Sequence, residues 1–292
     1  MCAMQGYYEC HGHLMMDGED FSAARERHKN GVDTVALRAA LEALRRAGVT
    51  YFRDGGDAYG VSALGREMAQ EYGLEIVTPV FAIHKKGRYG AIVGREYDDL
   101  ASFRQRVREL KDAGGDFVKI MLSGIITFRS WGHLSCPGLE AEEIGELVRI
   151  AHGEGFRVMV HCNGPETIRA AALAGVDSVE HGYFGDAAAL EAMAEHDTIW
   201  VPTVAAVEAF VGRDGIDRSV AEKTVSEQLK SLETARSLGI SVAAGSDSGA
   251  VGVPHGAGTL REYELLAMAG FTPEEIETAN KKLREEFSPR KR

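Results

Sequence analysis

Three stretches of the chain set histidines where an extended backbone would end: Cys10-His11-Gly12-His13, Val160-His161-Cys162 and Glu180-His181-Gly182. Asp247 stands in a comparable place in Gly245-Ser246-Asp247-Ser248-Gly249, and Lys119 lies inside the apolar run Phe117-Val118-Lys119-Ile120-Met121-Leu122. His11 and His13 are one residue apart, so on an extended chain both side chains leave the same side. Imidazoles joined by one carboxylate are borderline ligands that suit zinc and similar divalent ions. Each residue alone has an ordinary explanation: a surface pair, a turn-capping aspartate, a hydrogen-bonded histidine. Together they describe a candidate metal centre, because four of the ten histidines and the carboxylate all fall at strand ends.

The elements that must position them are short β-rich runs alternating with amphipathic helices. The candidate strands are Tyr7 to Cys10, Val49 to Arg53, Glu75 to Ile83, Phe117 to Leu122, Arg157 to Val160, Ser178 to Glu180, Ile199 to Val204 and Ile240 to Ala244. Between them, apolar residues recur at intervals of three and four, as in Leu37, Leu41, Leu44 and in Leu100, Phe103, Val107, Leu110. Gly48, Gly114, Gly155, Gly175 and Gly239 each follow a helical pattern and precede a strand, where a left-handed C-cap suits glycine. Pro165 fits a first helical position, and Thr272 with Glu275 around Pro273 reads as a capping box. Eight β-then-α units predict an α/β fold of the (β/α)8 TIM-barrel type, whose active site lies at the C-terminal strand ends. An open doubly wound sheet is the competing architecture, but no glycine-rich phosphate fingerprint follows the first strand. The longest irregular stretch, Thr127 to Gly138, follows the fourth strand and is expected on the functional face.

Composition narrows the partners. Of 292 residues, 33 are Lys or Arg and 44 are Asp or Glu, giving a net charge of −11 that argues against nucleic-acid binding. The short basic run Pro289 to Arg292 reads as a solvated tail. No apolar stretch reaches the roughly 18 residues needed to span a membrane, and the N-terminal sequence lacks the charged and apolar regions of a signal peptide. The expected setting is cytoplasmic, with no membrane partner, a small-molecule substrate, and either a monomer or a homo-oligomer. Cys2, Cys10, Cys136 and Cys162 contain no CxxC pair and read as free thiols. His28, His152 and His196 are expected to face solvent, while His84, His133 and His255 are pocket candidates.

With ECHGHL, GVTYFRDGG, FVKIMLSG, VHCNGPETIRAAALAGVDSVEHG, VPTV and AAGSDSG in this order, nearly the whole chain resembles the amidohydrolase superfamily. Within it the sequence is similar to the imidazolonepropionase-like group, which holds metal-dependent dipeptidases of the prolidase type. The resemblance implies that His11 and His13 hold one metal and His161 and His181 a second. It further implies that Lys119 bridges them as a carbamate formed from CO2, and that Asp247 is both ligand and proton acceptor. The two ions implied are divalent, with zinc the first expectation. Glu9 replaces the aspartate usual two positions before the first histidine, and ETANKKLREEF replaces the usual T-x-N-A-A segment. Residues 1–292 are expected to form a single barrel domain without the family's accessory β-sandwich.

That ligand set implies a binuclear metal-dependent hydrolase in which a hydroxide bridging the two cations attacks an amide of a dipeptide, an N-acyl amino acid or a cyclic amide. Asp247 would act as general base and then general acid. The alternative is a mononuclear deaminase of the same superfamily, which needs H-x-x-E after the fifth strand, where this chain has Gly164. A non-catalytic metal-binding or scaffold barrel is a third possibility. Substrate contacts are expected from His84 at the end of the third strand, Arg88 beyond it, Arg129 in the long loop and Tyr183 beside a ligand histidine. The arginines would suit a substrate carboxylate.

Overall fold

The helical stripe of Leu37, Leu41 and Leu44 becomes the buried face of the helix Thr34–Arg46, which starts where the Asp33 carboxylate accepts from the amides of Val35 and Ala36. Burying each leucine stabilises by about 1.5–3 kcal/mol over leaving it in water. The same logic forms Leu100–Asp112 over Phe103, Val107 and Leu110. All five capping glycines take left-handed φ, as expected. Pro165 opens the helix Pro165–Leu173, and Thr272 and Glu275 close a capping box on Pro273–Phe287. This computed structural model describes residues 6–288; Cys2 and the run Pro289 to Arg292 lie outside the described residues.

The strands are β1 (Tyr7–Gly12), β2 (Val49–Asp54), β3 (Glu75–Val77), β4 (Ala82–Lys85), β5 (Gly94–Tyr97), β6 (Val118–Met121), β7 (Val158–Cys162), β8 (Ser178–His181) and β9 (Ile199–Val201). All pairings are parallel, in the orders β1-β2-β3 and β5-β4-β6-β7-β8-β9. The segment 241–248 links the far edges. Ala243 N–H donates to Trp200 O (2.9 Å), Cys10 N–H to Ala244 O (2.8 Å) and Asp247 N–H to His11 O (2.8 Å). The architecture is the expected (β/α)8 barrel.

Several boundaries differ from expectation, each for a local reason. The run Glu75 to Ile83 is two strands, because Pro79 has no amide to donate and Val80 takes φ 66°. The run Ile199 to Val204 stops at Val201, ahead of Pro202 and of Thr203 at φ 48°. Ile240 to Ala244 makes only a bridge from Val242 to Trp200, because side chains take amides the ladder would use: Ala244 donates to Asn280 Oδ1 (2.8 Å) and Ser246 to Glu9 Oε1 (2.7 Å). β5 is an unexpected edge strand on β4. His28 is buried, not solvent-facing, and its Nδ1 accepts from Asp33 N–H (3.1 Å), closing the turn between two helices. His152 and His196 are exposed, as expected.

The barrel interior is a layer of Tyr51, Val77, Phe117, Met159 and Ile199, covered from one end by Ala279, Leu283 and Phe287 of the last helix. Cys10, Cys136 and Cys162 are free thiols. No helix among the described residues is long and apolar enough to cross a membrane.

Candidate metal centre

Six side chains converge at the C-terminal strand ends: His11 and His13 from β1, Lys119 from β6, His161 from β7, His181 from β8 and Asp247 from the closing segment. His11 Nδ1 lies 2.6 Å from Glu180 Oε2, so that ring is oriented and its Nε2 faces the centre. There Nε2 sits 3.4 Å from Lys119 Nζ and 3.6 Å from Asp247 Oδ1, while His13 Nε2 is 3.4 Å from the same oxygen. His181 Nδ1 meets Thr203 Oγ1 at 2.8 Å, and its ring centroid is 4.9 Å from His11 and 4.5 Å from His161. His161 Nε2 contacts Gly124 O (3.2 Å) and the Asn163 amide (3.3 Å).

The donor set fits a divalent cation. One ligand atom each from His11, His181 and Asp247 lie within 4.8 Å of one another. Two buried atoms here, His13 Nδ1 and Asp247 Oδ1, have no hydrogen-bond partner among the described residues. An orphaned buried acceptor is costly unless something else satisfies it. Burial holds His11, His13 and His181 well below the ordinary imidazole range and His161 at about 3, with the Lys119 charge adding to each, so all four are neutral and ready to ligate. Burial also lowers Lys119 to about 8, opposed chiefly by Asp247, and raises Asp247 to about 6, opposed by Lys119.

The supporting residues show how the chain holds this geometry. Arg53 on β2, fully buried, donates to Cys10 O (2.7 Å), Ser178 Oγ (2.9 Å) and Glu180 (2.8 and 2.9 Å), so an Arg53–Glu180–His11 relay fixes the first ligand. Glu9 accepts from Ser246 N–H (2.7 Å), Ser246 Oγ (2.6 Å) and Thr259 Oγ1 (2.5 Å), tying β1 to the segment that carries Asp247. Asp54 accepts from Leu14 N–H (3.0 Å) and Gly56 N–H (2.6 Å), shaping the turn after His13. Gly55 leaves room for the ligands: a Cβ there would lie 2.2 Å from His13 Cε1 and 2.7 Å from Lys119 Nζ. His181 (φ 67°) and Asp247 (φ 63°) sit in left-handed backbone, a strain of about 1–3 kcal/mol each. The His181 carbonyl is held there by Trp200 Nε1 (3.0 Å) and Gln228 Nε2 (2.7 Å). Sequence reasoning missed Arg53, Asp54 and Glu180; the available signal was charge within or at the end of strands otherwise apolar.

Above the ligands opens a cavity of about 360 Å³, floored by His13, Lys119, His161, His181 and Asp247. Tyr183 lines it, with its hydroxyl on Thr203 O and Oγ1 (both 2.7 Å). The long loop does face it, folded back by Ser135 N–H donating to Ile125 O (2.9 Å) and placing Ile126, Thr127 and Phe128 in the wall. His84, Arg88 and Arg129 do not line it. His84 is buried on β4 with Gly90 packed against its Cβ and Nδ1 on Lys85 O (3.1 Å), Arg88 reaches Pro137 O (3.4 Å), and Arg129 is exposed. His133 and His255 are also outside the lining; His133 meets Thr127 Oγ1 (2.7 Å), and His255 ties Ser248 Oγ (3.1 Å) to Met16 O (3.0 Å).

The sequence model of the amidohydrolase family matches residues 3–280. The chain belongs to the amidohydrolase family. Among its relatives, ochratoxinase of Aspergillus niger is 26% identical over 303 aligned residues, covering 92% of this chain and 62% of that one. An uncharacterised protein of Mycobacterium bovis is 28% identical over 196 residues, covering 64% and 51%. The chain therefore spans less than two thirds of the length of these curated relatives. A solved Xaa-Pro dipeptidase with bound methionine in its active site superposes with a TM-score of 0.80 at 23% identity, covering 97% of this chain and 75% of that one. The A. niger ochratoxinase structure gives 0.77 at 21%, covering 97% and 71%. These likenesses show the shared fold.

Proposed function

We propose that this amidohydrolase cleaves an amide bond of a small molecule by hydrolysis, working with two divalent ions, zinc first among the candidates. The observation that carries the reading is the convergence of four neutral imidazoles, Asp247 and Lys119, with the outward nitrogens of His11 and His181 already engaged by Glu180 and Thr203. His11 and His13 would hold one ion, His161 and His181 the other, with Asp247 and Lys119 between them. When bound, the ions acidify a water and polarise the scissile carbonyl. Asp247, with its carboxyl raised to about 6, takes the proton of the attacking water and returns it to the leaving nitrogen. Lys119, lowered to about 8, has a neutral fraction that can add to CO2, forming the N–C bond of a carbamate with release of one proton. The substrate range of the reading is a dipeptide, an N-acyl amino acid or a cyclic amide, met in the cytosol by a single barrel domain.

A second reading has one observation in its favour: among the described residues three ligand groups form the tight cluster within 4.8 Å, which suits one ion and a deaminase-like site. The two part on metal content. Elemental analysis of stripped and fully reloaded protein is expected to plateau at two ions per chain, and Asp247→Asn to keep the fold while lowering amide turnover by at least about 100-fold. A plateau at one ion sinks the binuclear reading, and parental turnover in Asp247→Asn removes Asp247 from the chemistry.

A further inference from the structure

The cavity over the ligands contradicts the expectation of a carboxylate-binding site. Its walls are Phe21, Ile92, Ile125, Phe128, Phe210 and Ile216, with Phe128 and Phe210 ring centroids 4.8 Å apart at a tilt of 33°. Among the described residues no arginine lines it; the charged lining residues are Lys119 and Asp247, both on the floor among the candidate ligands. The neutral polar groups are largely committed elsewhere. Tyr183 OH is on Thr203, Thr127 Oγ1 is 2.7 Å from His133 Nδ1, and Asn163 donates to Gly124 O (3.2 Å) while accepting from Tyr183 N–H (3.1 Å). The apolar surface continues to the mouth, where Phe21 and Ile125 remain 38% and 44% exposed.

A carboxylate lodged against these apolar residues would leave water with only the Tyr89 hydroxyl, and no cation among the described residues of the wall, to replace it, which is unfavourable. The chain's net charge of −11 adds a general repulsion of anions. Aromatic or branched groups, in contrast, gain from burial on every side, and about 360 Å³ lies within the range of pockets that hold drug-sized ligands. We infer that the substrate is an uncharged carboxamide with apolar substituents, at least one of them aromatic, and that the enzyme discriminates against a free carboxylate beside the scissile bond. This rests on the amide-hydrolase reading above and narrows it, setting aside the dipeptide and the N-acyl amino acid, both of which carry that carboxylate. The reaction is addition of water across the C–N bond: the acyl carbon gains the hydroxyl, the nitrogen gains a proton, and an apolar acid and an apolar amine leave.

The test uses a pair that releases the same product. Metal-loaded protein is given N-phenylacetyl-phenylalanine and its dimethylamide, and phenylacetate release is followed for both. The neutral member is expected to show a kcat/KM at least about 10-fold higher. Ile125→Arg, a substitution at a half-exposed position that should not disturb folding, is expected to shrink that ratio by raising turnover of the acid. Equal turnover, or preference for the acid, overturns the inference and leaves the amide-hydrolase reading standing. If neither compound is cleaved by fully loaded protein, that reading fails for this class, and binding decides the inference. Ketone analogues with CH2 in place of the scissile N–H are compared by calorimetry; about 10-fold tighter binding of the neutral analogue upholds it, and equal or tighter binding of the acid removes it.

Discussion

Two fully buried cations sit in neighbouring layers of the same barrel, and their surroundings are unlike. Arg53 is saturated: its guanidinium reaches Cys10 O, Ser178 and both oxygens of Glu180, and lies 4.4 Å from the centre of the Phe287 ring. Lys119 has a single 3.4 Å approach to His11 Nε2, with Asp247 and the other histidines around it. A buried charge with excellent partners holds structure together, whereas one with few is a poor structural device. The Arg53 layer is therefore framework, complete in itself, and it reaches the candidate centre only through the Glu180 hold on His11. The Lys119 layer, on the proposed reading, is completed by the ions it would hold.

The comparison breaks most visibly with acid. The folded His11, His13, His161 and His181 have pKa values below the ordinary 6.5, so below that pH the unfolded chain takes up protons that the folded chain refuses. Stability from this source is whole above 6.5 and is lost as pH falls. At up to about 1.4 kcal/mol per group per pH unit, the four histidines alone cost metal-free protein on the order of 5 kcal/mol between pH 7.5 and 5.5, while the buried carboxyls of Glu9 (about 7), Glu262 (about 8), Asp54 and Asp247 (each about 6) take up protons in the folded state over the same window and offset much of it. Urea midpoints at several pH values, compared between the parent and His161→Gln, isolate the histidine share; parallel profiles would show that His161 is not held neutral.

Arg53→Met strips Glu180 of its cation and should cost about 3–5 kcal/mol in metal-free and loaded protein alike. A loss under about 1 kcal/mol in chemical unfolding would remove Arg53 from the framework. Glu180→Gln keeps the shape but weakens the hold on His11, and metal affinity measured by chelator competition should fall about 10- to 100-fold. Unchanged affinity would mean the relay ends at Glu180. Lys119→Met should shift metal-free stability by less than about 1 kcal/mol while metal content and turnover drop together. If the variant instead unfolds, Lys119 belongs to the framework and the contrast with Arg53 collapses.

The gathering of His11, His13, Lys119, His161, His181 and Asp247 was readable before any coordinates, because a barrel sends strand ends to one rim and these types stand at strand ends. The relay was less readable. Glu180 and Arg53 point inward in strands buried on both faces, where alternation carries no direction. The apolar wall was not readable at all, since Ile92, Phe128, Phe210 and Ile216 come from connections without periodicity. For the same reason Arg88 and Arg129 looked like plausible cavity residues when only their loops were known. Strand limits failed where proline or a left-handed residue interrupted an apolar run, as at Pro79 and Pro202, and where Glu9 and Asn280 took over amides of the closing segment.

That closing segment gives the molecule a history during synthesis. A growing chain that has emerged only as far as β9 already holds His11, His13, Lys119, His161 and His181, yet 241–248, which bonds both β9 and β1, is still missing. The join between Cys10 and Ala244 closes over more than two hundred residues, a contact made late and slowly because so much chain entropy must first be lost. On the proposed reading, five of the six candidate ligands therefore precede Asp247, which arrives only with the segment that closes the barrel.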